Sequence, residues 1–193
     1  PALIAASYFT HIPKIYRCHF DISRASLNTW QFIKPYIQKC QAAIFSLPNF
    51  HRPLEKMDNK IFYVLPSIDP LSVKNKIASP EEIKQVFAKH KISSQKPVIL
   101  QVSRFDKLKD PCGLIDVFNL VQKQNPAVQL VIAGALAPDD TEAFSLYRET
   151  LEKAQNRTEI KVLSLNREDA QISALQTGAT IVVQKSLAES FGL

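Results

Sequence analysis

The stretch from Pro97 to Gly113, PVILQVSRFDKLKDPCG, constrains this chain more than any other. Val98 to Val102 is an apolar run, β-branched at three of five positions, and predicts a buried strand. Asp110-Pro111 then supplies an N-cap followed by a proline at the first helical position. Behind them Leu114, Ile115, Val117, Phe118 and Val121 recur with helical spacing. Strand and helix are joined by a short loop that carries Arg104, Lys107 and Lys109. In a parallel α/β sheet such a loop lies at the carboxyl edge, where these folds bind ligands. Two cations beside a helix N-terminus with outward-pointing amides make a phosphate site, and a merely basic solvated loop is the alternative.

The same alternation runs through the rest of the second half. Ser79-Pro80-Glu81-Glu82 is a capping box that opens a helix to about His90. Val128 to Ala133 predicts a strand ending at Gly134, followed by a helix from about Thr141 to Asn156. Ile160 to Leu165 predicts a strand, Glu168 to Thr177 a short helix, and Thr180 to Gln184 a last strand. Strand and helix therefore alternate, and a parallel sheet with helices on both faces follows. After the last strand comes KSLAESFGL, Lys185 to Leu193, a second charged loop at the same edge.

The first half is less regular. Ala2 to Ala6 reads as the tail of a helix, and Lys14 to Phe20 as a strand ending in the polar set Arg17, His19 and Asp21. Leu27, Trp30, Ile33 and Ile37 keep helical spacing, with Pro35 expected to kink the helix or split it in two. Ala42 to Leu47 and Ile61 to Leu65 predict two further strands around a polar loop. This β-α-β-loop-β order is an incomplete doubly wound layer whose apolar sheet surface lacks cover. Pro66-Ser-Ile-Asp-Pro70 reads as a stiff hinge. The expected organisation is a partial first domain over 1–66, a linker over 67–78 and a second domain over 79–193. The opening Pro1, and an end at Gly192-Leu193 where a helix should start, suggest a fragment truncated at both ends.

Composition narrows the functions. Hydrophobic residues at 46% and charged residues at 22% are those of an ordinary globular chain, and no apolar run approaches a membrane span. Cys18, Cys40 and Cys112 form no CxxC pair, which fits reduced thiols in a cytoplasm. His19 and Asp21 have no third ligand nearby, so no metal is expected. GxGxxG, P-loop and GxSxG fingerprints are missing. Residues 1–95 carry +7 (13 Lys/Arg against 6 Asp/Glu), and residues 96–193 carry −1 (11 against 12). A basic half can serve nucleic acid, but Lys34, Lys39, Lys56, Lys60, Lys74, Lys76 and Lys84 are dispersed without regular aromatic interleaving. An anionic small ligand or simple solubility fits as well, and neither nucleic acid nor membrane is the expected partner.

Several motifs together carry a family likeness. SRFDKLKDP, the AG turn after a buried strand, and KSLAESFGL resemble the retaining nucleotide-sugar glycosyltransferases of family 4, which have the GT-B fold of two Rossmann-like domains. YRCHFDIS, the run Trp30 to Tyr36, AAIFS and Pro66 to Asn75 resemble the trehalose synthase or trehalose phosphorylase-like branch. The likeness spans essentially the whole chain. It implies transfer of glucose from a nucleoside-diphosphate-glucose donor to glucose with retention, or a phosphorylase using phosphate, or an inactive diphosphate-binding remnant. It makes Glu189, Arg104 and Lys109 the catalytic group, with Arg104 and Lys109 on the donor diphosphate and Glu189 beside the donor sugar. Gly134, Lys185, Ser186, Phe191, Gly192 and Leu193 complete the donor site, and Arg17, His19 and Asp21 fall on the acceptor side. The partners implied are a nucleotide sugar, as substrate, and a sugar acceptor. The chain departs from the family pattern at Ala188 and Ser190, where Arg and Gly flank this Glu, and at Leu108, often aromatic in the branch.

Overall fold

The structure, a computed structural model, describes residues 2–9, 11–54, 57, 60–136, 139–166 and 168–189. They divide into two compact units. One reaches up to Ile68 and takes in Glu189, and the other runs Asp69–Ala188.

In the first unit, α1 (Ala2–Ala6), β1 (Ile15–Cys18), α2 (Leu27–Ile37), β2 (Ala42–Phe45) and β3 (Ile61–Tyr63) follow in order. The three strands are parallel, in the order β1-β2-β3. Ser26 caps α2 by accepting from the Thr29 amide at 3.1 Å. The helix runs unbroken through Pro35, so it is not split into two short helices. Pro35 sits in the last turn, and Gln38 N–H closes the helix onto the Lys34 carbonyl at 3.0 Å, so little bonding is lost. Trp30 and Ile37 bury one face of α2 against Ala43 and Phe45 of β2, with Leu54 and Met57 closing the cluster. All three strands are shorter than the sequence suggests.

The second unit contains α3 (Pro80–Lys89), β4 (Val98–Val102), α4 (Pro111–Gln124), β5 (Gln129–Gly134), α5 (Thr141–Ala154), β6 (Ile160–Ser164), α6 (Asp169–Gly178) and β7 (Ile181–Val182). Its sheet is all parallel in the order β6-β5-β4-β7. β5 is buried along its whole length, and its side chains alternate between two cores. Leu130 and Ile132 pack with Leu114, Ile115 and Phe118 of α4 on one face. Val131 and Ala133 pack with Phe87 of α3 and Leu175 of α6 on the other. The capping box forms as expected, with Ser79 Oγ accepting from the Glu82 amide and Glu82 Oε2 from the Ser79 amide.

Two features differ from the sequence reading. The run Val98–Val102 is not apolar throughout, since Gln101 points inward and is fully buried. The last strand is only two residues long, although Val183 N–H still reaches the Leu100 carbonyl at 2.7 Å. Residues after the prolines are sewn to α6: Lys76 O accepts from Ser173 Oγ at 2.5 Å, and the Ala78 amide donates to Thr177 Oγ1 at 3.2 Å.

At the amino end of β6, Arg157 ties the turn to α4. Its guanidinium donates to Glu159 at 2.9 Å, Asn119 at 2.6 Å and Gln122 at 2.5 Å, and lies 5.6 Å from the Phe118 ring centre. Bonding to its own backbone amide, then to Arg157 and Gln122, holds the Glu159 carboxyl down to about 2.

Candidate functional site

The loop leaving β4 is built by its own carboxylates. Asp106 Oδ1 accepts from the Leu108 amide at 2.8 Å and opens a 3-10 turn over Lys107–Lys109. Arg104 is exposed, with its guanidinium 3.2 Å from Asp106 Oδ2. An ion pair this open to water contributes little to stability, so Arg104 can exchange it for a ligand at small cost. Lys107 is paired across to Glu142 at the start of α5, at 3.1 Å. Lys109 ends the turn, and its carbonyl accepts from the buried Gln101 amide group at 2.7 Å. A side chain of an internal strand thus anchors the loop from below.

Asp110 does more than cap. It adopts φ 48°, ψ 54°, the left-handed region that Asp tolerates better than most residues. Its Oδ1 accepts from the Gly113 amide at 3.0 Å, and Pro111 has no amide to offer. At the α4 N-terminus the Gly113 amide is thus taken up within the chain. Its anion is the chain's own carboxylate. Oδ2 of the same residue is paired with Lys185 Nζ in the loop after β7. Two residues along, the Leu187 amide donates to the Leu108 carbonyl at 2.7 Å. The two charged loops are thereby fastened together at the carboxyl edge. Gly134, at the same edge, admits the Ser103 carbonyl so closely that a Cβ would stand 2.1 Å from it.

Comparison with known proteins follows from this geometry. Residues 82–193 match the family described as glycosyl transferases group 1, and residues 1–52 match the N-terminal domain of trehalose synthase. The chain belongs to the group 1 glycosyl transferases. It is 34% identical over 195 residues to a trehalose synthase of Pyrococcus horikoshii, covering all of this chain and 47% of that protein. It is 34% identical over 181 residues to a trehalose synthase of Rubrobacter xylanophilus, covering 93% of this chain and 43% of the relative. The chain spans about half the length of the curated relatives it matches. Among solved structures, Anabaena Alr3699/HepE in complex with UDP-glucose superposes with a TM-score of 0.71 at 13% identity, over 98% of this chain and 52% of that one. The fold is that of the GT-B glycosyltransferases.

The remaining residues expected of this glycosyl transferase are placed as follows. Ser186 Oγ accepts from the Gln184 side chain at 3.1 Å. Glu189 is exposed and groups with the first unit, whereas Phe191, Gly192 and Leu193 lie outside the described residues. Of the residues expected on the acceptor side, Arg17 NH2 donates to the Val64 carbonyl at 2.8 Å, across from β1 to the end of β3. Asp21 Oδ1 accepts from the Ser23 amide at 2.9 Å and shapes a turn, while His19 is exposed. Among the described residues, no three His, Cys, Asp or Glu side chains gather as a metal ion would need. No helix among them is long and apolar enough to cross a membrane.

Two residues escaped the sequence reading. Gln101 lay inside an apolar run, and a lone amide at the penultimate position of that strand is the one feature that sets it apart. Asp110 read as a cap alone, and nothing local announces its second partner 75 residues away.

Proposed function

We propose that this chain carries the donor-binding part of a trehalose synthase-type glycosyltransferase, which moves glucose from a nucleoside-diphosphate-glucose to glucose with retention. The observation that carries the reading is the pair of charged loops joined at the carboxyl edge of a parallel sheet, in a chain whose relatives are trehalose synthases. Arg104 and Lys109 grip the diphosphate. As the sugar leaves, negative charge builds on the departing phosphate, and fixed cations at that point lower the barrier. Glu189 sits against the donor sugar, Gly134 gives the ligand a close backbone floor, and Ser186, Phe191, Gly192 and Leu193 line the rest. Arg17, His19 and Asp21 hold the acceptor. Helix-terminal amides around Phe191 and Gly192 share the charge work with these cations. UDP-glucose in the Anabaena neighbour supports a nucleotide sugar as the ligand class. Free Cys18, Cys40 and Cys112 fit a reducing cytoplasm.

A second reading is favoured by Ala188, which stands where the family pattern carries Arg: diphosphate binding without transfer. A phosphorylase would use the same cations on phosphate. Calorimetric titration with UDP, ADP, GDP, phosphate and a random oligonucleotide separates these. A nucleoside diphosphate should bind best, and an oligonucleotide binding more tightly than all of them would refute the proposal. Trehalose formation from nucleotide-glucose and glucose distinguishes transfer from binding alone.

A further inference from the structure

We propose that Lys185 is a positioning residue of the donor site, acting through Asp110, and not itself a phosphate ligand; this rests on the donor-site reading above. The sequence places Lys185 among ligand-facing cations. The structure instead sets its ammonium on Asp110 Oδ2, with both side chains about three-quarters withdrawn from water.

The contact is one rung of two. Leu108 faces Leu187 through a backbone hydrogen bond of 2.7 Å, and Asp110 faces Lys185 through the ion pair. Stepping up by two residues on one loop is matched by stepping down by two on the other, which is antiparallel register. The two loops leave parallel neighbouring strands, so this clasp forms only where one of the two chains has reversed direction relative to the other beyond the sheet edge. Lys109 lies between the rungs, and its carbonyl is fixed from beneath by Gln101. The backbone that carries the proposed diphosphate cation is therefore held on three sides.

Asp110 is held in turn by a requirement at Gly113. A Cβ there would stand 2.2 Å from Oδ2 and 2.6 Å from Oδ1, so the carboxylate keeps this rotamer over the helix end unshifted only with glycine at 113. Charge completes the argument. A bare Asp110 carboxylate beside a diphosphate would repel it, and Lys185 cancels that charge. The pair presents no net charge to the ligand and leaves Arg104 and Lys109 to attract it.

The test uses the full 193-residue chain and UDP, with ADP and GDP as parallel probes, in calorimetry on Lys185→Met, Asp110→Asn, the double variant and Lys185→Arg. Positioning predicts that each neutral single variant weakens binding about three- to tenfold, that the double variant is no worse than Lys185→Met, and that Lys185→Arg recovers most of the loss. Direct contact with phosphate predicts the reverse for Asp110→Asn, which frees the ammonium and should tighten binding; that result, or additive losses, overturns the inference. Unchanged binding in both single variants also overturns it. Amide exchange at Leu187, read in the same samples without ligand, reports the clasp itself. Protection lost in both single variants with global unfolding unchanged supports it, and protection retained in either overturns it. If the parent chain binds none of the three diphosphates while the Leu187 amide is protected, the donor-site reading fails although the clasp exists, and the positioning role falls with it.

Discussion

The backbone of Gly134 meets the carbonyl of Ser103 with no room for a side chain: a methyl group on Gly134 would stand 2.1 Å from that oxygen and 3.1 Å from the Phe105 ring. The contact joins the end of β5 to the first residue of the Arg104 loop. Gly134→Ala must push that loop away, because the obstruction is backbone and cannot rotate aside. Overpacking of this kind costs about 1–3 kcal/mol. Urea unfolding should show the loss, and diphosphate binding should weaken with it. A variant as stable as the parent, binding equally well, would show that the loop moves without consequence.

Replacing Arg104 by Ala should remove most nucleoside diphosphate binding, since a charged hydrogen bond is worth about 1.5–3 kcal/mol, or roughly 10- to 150-fold in Kd. Lys107 offers the contrast. Its ammonium is engaged with Glu142, so Lys107→Ala should leave the Kd within about twofold. Calorimetry on the two variants side by side decides, and equal losses would remove Arg104 from its assigned place.

Gly113→Ala should reproduce the loss of Asp110 without touching a charged residue. The new Cβ displaces the carboxylate from the Gly113 amide and from Lys185 together. Loss of an N-cap costs about 1 kcal/mol. Thermal unfolding should fall accordingly, and UDP binding should weaken. Retention of both would mean that Asp110 finds another rotamer that serves as well.

Stability should fall in acid partly through Glu159. Its carboxyl is held at about 2, below the ordinary value of 4.5, so the folded state favours the charged form. The resulting stability is present in full above about pH 4.5 and is lost as the pH falls toward 2, because the unfolded chain takes up this proton first. Glu159→Gln should flatten the melting temperature between those two values and lower it at neutral pH. Parallel curves for parent and variant across that range would contradict the assignment.

Much of the fold was legible because strand and helix periods are local properties. The apolar strand Val128 to Ala133 and the Ser79–Glu82 box need only a few neighbouring residues to be read. Pro35 misled because the same residue breaks a helix in its middle and is tolerated in its last turn, and sequence alone does not locate that turn within two residues. The site was legible in its cations and not in their arrangement. Arg104 and Lys109 announce an anion, but the left-handed Asp110, the inward Gln101 and the pairing of residue 110 with 185 arise only when two loops meet in space.

The register of the clasp makes loop length a shared quantity. β7 has only two ladder residues, and Gln184 alone separates Val183, whose amide donates to the Leu100 carbonyl, from Lys185. A single residue inserted or removed there would turn Lys185 to the opposite side of its chain and present Asp110 with a different side chain. The same holds between Leu108 and Asp110. The two segments, far apart in the gene, can change length only in concert, so divergence within this fold has to proceed by substitution at those positions and by insertion elsewhere.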